Sequence, residues 1–506
     1  MAEYPDFKHG VYGEIDAKSV KAGNRGNAQQ VHVYFGTAPV HLVEGGAGNV
    51  NKPMLINDMS EALKYMGYSD DWASYDLCEP EHVFFDQKAV APLVFINVFD
   101  PTVHKKTTGG TASLTPENGR VVIVNAEDVY LDSIVVKSGS GDDEVTKVKG
   151  TDYSVSYDFT KKVVNIVELS SGALGTTALA ITWDKVDPSA VTDAALIGSD
   201  DGYGLRTGIP AVQNVYPLTG CIPARMSSPG FGSHPAVHRA LRKYSKDIGK
   251  HWNARIYVDL PLTDGDTPLT MASVSTWKNA NGYNADNDSP FFPMAKGTDG
   301  RRYHLSVLAA ANLLELQNQN GGVPFMSHSN TDCPIIADLY LAESTVGRVF
   351  DDALANKCLV SNGINSAAFV SGRWAIWGMV AGDFSVPEAT NVNVNDTCLA
   401  MLYYLSNRFQ HRYADKAGKP MPINDLQAIV AREQADADAL LGIGALTYAK
   451  VMLDATEQAK SDLYQGDFRI IYKVTNMPLA KSITAVVTLT EDGYRTYFEA
   501  MSDLVA

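Results

Sequence analysis

Cysteine is scarce in this chain, and what there is stands apart: Cys78, Cys221, Cys333, Cys358 and Cys398 are the only five. An odd, dispersed set supplies neither a disulfide framework nor a zinc knuckle, and it suits folding in a reducing cytoplasm. Long apolar runs are missing too. No stretch approaches the roughly 18 residues of a membrane-spanning helix. The opening residues, MAEYPDFKHGVYGEIDAK, lack the basic-then-apolar order of a secretory signal. Positive charge is in deficit, with 42 Lys and Arg against 58 Asp and Glu, a formal −16. No basic run exceeds a few residues, which argues against duplex nucleic acid and against a bare anionic membrane as partner. No fixed-period repeat is visible.

What is present is an ordinary folded composition, 45% hydrophobic and 20% charged over 506 residues. That is enough for about three domains. Residues 1–28 are polar and glycine-punctuated and read as an arm. Order begins with QVHVYFG, whose Val31, Val33 and Phe35 alternate like a strand. In DMSEALKYMG (58–67), Asp58 as N-cap, Glu61 three residues on and Gly67 as stop predict a helix. The apolar run LVFINVFD (93–100) suits a strand buried on both faces. Residues 29–101 are therefore the first part of an α/β body.

From 102 to 190 only short β segments and Ser/Thr/Gly turns occur, among them VVIVN, SIVVK, YSVSY, VVNIVEL and LAITW. They predict an inserted, outward-projecting all-β domain. The α/β pattern resumes over 191–378. Helices are expected at 234–249, with Ser233 as cap and Val237, Leu241, Tyr244 and Ile248 on one face, and at 303–322, with Val307, Ala310, Ala311 and Leu314 as its stripe. The final section, 379–506, has helical spacing at 397–413, 425–441 and 445–458. Two alternating runs, FRIIYKVT (468–475) and SITAVVTL (482–489), follow and read as strands. Two strands alone bury little, so this pair calls for more sheet from this chain or another.

No catalytic constellation has a convincing spacing. EGGAGN (44–49), TTGGT (107–111) and SGSGDD (138–143) are glycine-rich but do not continue into Gly-Lys-Ser/Thr. His234 and His238 are one helical turn apart without the glutamate of a zinc hydrolase, and read as surface histidines. Ser227 and Ser228 lie in MSSPG rather than Gly-x-Ser-x-Gly. Glu433, Asp436 and Asp438 share one helix, where acids usually form a solvated face or meet a basic partner. Residues 362–378, NGINSAAFVSGRWAIWG, hold Arg373, Trp374 and Trp377 among glycines, and read as aromatics filling the junction between body and C-terminal helices. No cofactor or metal is expected. The alternatives from other classes are a hydrolase with a loop-built site at 225–232 and 327–332, and a carbohydrate-binding surface protein using the β insertion.

Taken in order, several segments resemble the contractile tail sheath proteins of bacteriophages, tailocins and related injection machines. They are FGTAPVH (35–41) followed by NVNKPMLINDMSEALKYMG, then VFINVFD, IPAVQNVYPLTGCIPARMSSPGF (209–231), residues 305–330, and NGINSAAFVSGRWAIWG. The resemblance covers roughly 10–100 and 205–500 and is weakest over 102–190. It departs at Met379-Val380-Ala381, where family members often carry Ala-Arg-Thr, and in the long polar loop 279–300.

The resemblance implies a non-enzymatic structural subunit, a homopolymer of six-fold rings around an inner tail tube protein, with baseplate and terminator proteins at its ends. It implies assembly in the host bacterial cytoplasm and a final place in the virion tail. Contraction from an extended, high-energy state drives the tube through the target envelope. It also implies strands exchanged between subunits, which points to Val11 and Tyr12 at one end and Ile483 and Val487 at the other. A C-terminal helix faces the tube in the family, making Glu433, Asp436 and Asp438 the candidate tube contacts.

Overall fold

A computed structural model describes residues 29–139, 144–345, 347–390, 392–454 and 466–504. Its centre is a six-stranded sheet built from β1 (Gln30–Gly36), β2 (Pro53–Ile56), β3 (Leu93–Asn97), β4 (Ile222–Ser227), β5 (Arg255–Asp259) and β6 (Asp288–Phe291). The spatial order is β6-β5-β4-β1-β3-β2. All neighbours are parallel except β2, which runs antiparallel to β3 at the edge. Every residue of β3, β5 and β6 is buried, as a sheet covered on both faces requires. The covering includes α1 (Met59–Tyr65), α2 (Pro235–Tyr244), α3 (Val274–Ala280) and α4 (Leu305–Gln319).

These helices follow their local signals with two differences. Asp58 caps α1 by accepting from the Glu61 amide at 2.9 Å. α2 begins at Pro235 with His234 as its uncapped N-cap residue, so Ser233 is not the cap, and the helix stops at Tyr244 rather than 249. α4 has no single stripe: Leu305, Val307, Leu308, Ala309, Ala310, Ala311 and Leu313 are all buried, because the helix is enclosed on several sides. Among the described residues no helix is long and apolar enough to cross a membrane.

The chain moves from β1 to β3 on one side and returns to β4 on the other, so the sheet's switch point lies between β1 and β4. In open α/β sheets this is where ligands usually bind. Here the protein's own Asp76 fills it. Its carboxylate accepts from the Thr37 amide at 2.5 Å, the Thr37 hydroxyl at 2.9 Å and the Gly230 amide at 3.1 Å. A Cβ at Gly36 or Gly230 would run into that carboxylate. Burial raises the Asp76 carboxyl to about 6 against the pull of these donors.

Between Gly110 and Trp183 the chain forms a four-stranded and a three-stranded antiparallel sheet. Between them lies a separate core that includes Val121, Val136, Val155, Ile166 and Ile181. The two ends of this segment run side by side, with the Asp187 amide on the His104 carbonyl at 2.9 Å and the Lys106 amide on the Lys185 carbonyl at 2.8 Å. His41 reaches the Glu127 carbonyl at 2.8 Å, and Tyr130 and Val186 pack into the body core.

Residues 366–377 form a hairpin of β7 (Ser366–Val370) and β8 (Arg373–Trp377). Its two-residue turn, Ser371-Gly372, has φ of 52° and 82°, the left-handed pair that tight hairpins need. Two antiparallel helices follow, α5 (Asp396–Tyr413) and α6 (Ile423–Gly442), then β9 (Leu446–Leu453), β10 (Ile470–Asn476) and α7 (Asp492–Asp503). β9 corrects the expectation of a helix at 445–458, of which 455–458 lie outside the described residues. Gly444, at φ 75°, ends the helical run, and Leu446 to Leu453 pair antiparallel with β10. Residues 482–489 form no strand, since among the described residues they have no neighbour to complete a ladder.

A second buried carboxylate joins α4 to the sheet's flank. Glu79, 2% exposed in its side chain, accepts from the His304 amide at 2.6 Å and its Nδ1 at 2.5 Å. Burial opposes the charged imidazole, but Glu79, then Asp259 and Asp76, outweigh it and raise His304 to about 9. A histidine raised on folding stabilises fully below its unfolded value of 6.5, and that stability is lost as pH rises through about 9. Between pH 7 and 9 the unfolding free energy should fall by about 1–3 kcal/mol from this group. His304→Gln should be less stable at pH 7 and lose that slope, as read by urea unfolding across pH.

Candidate functional site

The hydrolase alternative fails on access. Ser227 and Ser228 are buried in and just after β4, and Ser227 Oγ lies 2.7 Å from His32 Nε2 inside the sheet. Burial, then Arg225, holds His32 well below its usual value, so this pair is a neutral packing contact. His328, on the second loop, is also fully buried, facing Tyr257 at 3.3 Å. His238 is not a surface residue: it is buried, stacked on Tyr283 at 3.9 Å, with Nε2 3.2 Å from Asp288. His234 is exposed and pairs with Asp193 at 2.6 Å. Among the described residues no three His, Cys, Asp or Glu side chains cluster for a metal ion.

The acidic helix α6 divides its acids between inside and outside. Glu433 is fully buried, which corrects its expected place among surface contacts. Its carboxylate accepts from Arg408 at 3.1 Å, Arg412 at 2.6 Å, Tyr413 at 2.8 Å and Tyr472 at 2.9 Å. Asp436 completes the knot by pairing with Arg412. Burial, then the Glu433 charge, pushes the Tyr472 phenol upward, so it stays a donor. Each acceptor position is used, which is what makes a buried carboxylate tolerable. Asp438 is exposed and accepts from Gln434 at 2.8 Å. Arg408 and Arg412 at i, i+4 on one helix, and Glu433 and Asp436 at i, i+3 on the next, were the available signal: an antiparallel hairpin sets them face to face.

β8 carries the residues expected at the junction. Trp374 stacks edge-on to Phe369 at 5.7 Å, donates to the Ala337 carbonyl at 3.1 Å and packs against the body core. Arg373 donates to the Asn330 carbonyl at 3.1 Å and lies 3.9 Å from Asp332, within its own subunit. Trp377 donates to Asn356 at 2.9 Å and faces a cavity of about 580 Å³. Phe384, Val394 and the strap of residues 479–482 also line it. Lys481 Nζ stands 5.3 Å from the centre of the Phe384 ring.

Beyond that strap the chain leaves its own body. Ile483 is 91% and Val487 93% exposed, and Tyr494, Tyr497, Phe498 and Met501 form an open apolar stripe on α7 at helical spacing. Val11 and Tyr12 lie outside the described residues. The signal for α7 in the sequence is Tyr494, Tyr497, Phe498 and Met501 at i, i+3, i+4 and i+7, a helix absent from the expectations above.

The two acids on α6 should separate cleanly in urea unfolding. Glu433→Ala leaves Arg408 buried without its partner and should cost about 3–5 kcal/mol. Asp438→Lys should stay within about 0.5 kcal/mol of the parent.

No described family profile matches the chain. The tail sheath protein of Burkholderia phage BcepMu is 24% identical over 480 residues, spanning 90% of this chain and 92% of that one. An 80-residue stretch is 31% identical to a UPF0313 protein of Pseudomonas syringae pv. tomato, but covers only 16% of this chain and 10% of that one. In fold, the chain is similar to the helical sheath of the anti-feeding prophage in its contracted state. That match has a TM-score of 0.52 and 12% identity, over 95% of this chain and 99% of the other. The chain is thus similar to a phage tail sheath protein in sequence nearly end to end, and to a contractile sheath subunit in fold.

Proposed function

We propose that the chain is the structural subunit of a contractile tail sheath, polymerising as stacked six-fold rings around an inner tube protein. Held in an extended, high-energy state, the polymer contracts and drives the tube through the target envelope. The role is structural rather than enzymatic, and the work comes from interfaces gained on contraction. The polymer is built in the bacterial cytoplasm and ends as the outer cylinder of the virion tail, bounded by baseplate and terminator proteins.

The observation that carries this reading is the tail after Asn476. An extended, alternating apolar segment with no strand partner among the described residues is suited to adding a strand to the two-stranded β9–β10 ladder of a neighbour. Contacts of this head-to-tail kind either close into a ring or propagate as a helix, according to the rotation between successive copies. The N-terminal arm, with Val11 and Tyr12, is assigned the matching exchange at the other end. Asp438 is the tube-facing candidate that is left, with Asp436 held by Arg412 and Glu433 buried.

Deleting residues 477–506 should leave a folded subunit, because residues 477–502 are almost wholly exposed, with a melting temperature within about 3 °C of the parent. The same deletion should abolish tubes in electron micrographs. Normal tubes from the truncated chain would remove the tail from the linkage. Replacing residues 102–190 by a short Gly/Ser linker should preserve assembly at some cost in stability, since the segment takes its own core with it but also withdraws Tyr130 and Val186 from the body core.

A further inference from the structure

The body sheet carries opposite charge at its two edges, both beside the same strand. α2 connects parallel strands β4 and β5, so it runs antiparallel to them. Its start, His234 and Pro235, shares a cavity with Leu260 and Leu262 just past the end of β5. Its last turns lie at the other edge, where Lys246 pairs at 3.2 Å with Asp286, two residues before β6 begins.

That second edge holds a groove of about 450 Å³ lined by Arg239, Arg242, Lys243 and Lys246. Asp286 offsets one of these four charges, which leaves three. Arg242 is tied to the Gly282 carbonyl at 2.9 Å, whereas Arg239 and Lys243 have no acidic partner among the described residues. In a chain of net charge −16, this is a local excess of the opposite sign.

At the first edge, directly after β5, a two-stranded hairpin of residues 263–268 stands clear of the body. All six residues are exposed. Its tip is Asp264-Gly265-Asp266, with Gly265 at φ 57°. Neither carboxylate has a cationic partner among the described residues.

We propose that the basic groove of α2 in one copy receives the acidic hairpin 263–268 of the next copy. The contact is head-to-tail, joining opposite ends of β5 in successive copies, so it can repeat from copy to copy. It rests on the polymer reading above and adds a second, electrostatic seam to the exchanged tail. It also counters the repulsion between subunits that each carry −16. Because both faces are exposed, added salt weakens it.

The test uses the full chain as assembled. Carbodiimide coupling of a polymer grown from equal parts of normal and heavy-isotope chains should join Asp264 or Asp266 to Lys243 or Lys246 as mixed-isotope pairs. Arg239→Glu with Lys243→Glu, and separately Asp264→Lys with Asp266→Lys, should each raise the critical concentration about tenfold, with melting temperatures unchanged. Carrying all four changes in one chain should bring it back to within about threefold of the parent. Cross-links from the groove to some other acidic segment, or parent-like assembly of both two-residue variants, or no recovery in the combined chain, would overturn this seam while the sheath reading stands. A parent chain that forms no polymer would overturn both.

Discussion

A parallel sheet can leave neither face to water, and this requirement organises the body. Five strands rich in Val, Ile and Phe must be roofed on both sides, so every crossover returns as a helix or a long covered loop. The roof then has polar ends to satisfy. Asp76, Glu79 and Asp259 take up backbone amides at Thr37, His304 and Ser306, each from inside the protein. A nucleotide-binding sheet would offer such amides at its switch point to a phosphate. Here an aspartate already occupies them, so the body has become a rigid block rather than a receptor.

The same principle fixes how the C-terminal helices meet that block. Asp396, in the first turn of α5, is 3% exposed, and its carboxylate accepts from Tyr257 at 3.1 Å and Ser289 at 3.4 Å in adjacent strands. Asn407 then clasps the Asn253 backbone at 3.1 and 3.0 Å, and Tyr216 meets His411 at 2.9 Å. Polar contacts of this kind demand one geometry, where an apolar seam would allow sliding. α5 is therefore held in register with the sheet along its whole length, and the Arg–Glu knot passes that register on to α6 and β10.

Much of this was legible in the sequence wherever local and tertiary preferences agree. The alternation in β1, the unbroken apolar run in β3 and the Asp58 cap each specify one local state that the fold keeps. Reading failed where partners lie far away in the chain. Residues 446–453 have helical spacing as well as β-formers such as Tyr448 and Val451, and only pairing with 470–476 decides between them. Glu433 resembled its exposed neighbour Asp438 until α5 supplied two arginines and β10 a tyrosine. Residues 482–489 have strand periodicity without a strand, because a ladder needs a second segment and none among the described residues lies alongside.

The inserted β segment enters and leaves the body through neighbouring residues, with His104 and Lys106 bonded directly to Asp187 and Lys185. A gap that narrow makes the site a socket. Any domain whose own termini lie a few ångströms apart could be spliced between these residues without changing the path of the body chain, and its closure cost would grow only slowly with its length. In a polymer of many copies, one such graft per subunit would be displayed as a dense, regularly spaced array. If the chain polymerises as proposed, the surface of the polymer would change by exchange at this single place in each subunit.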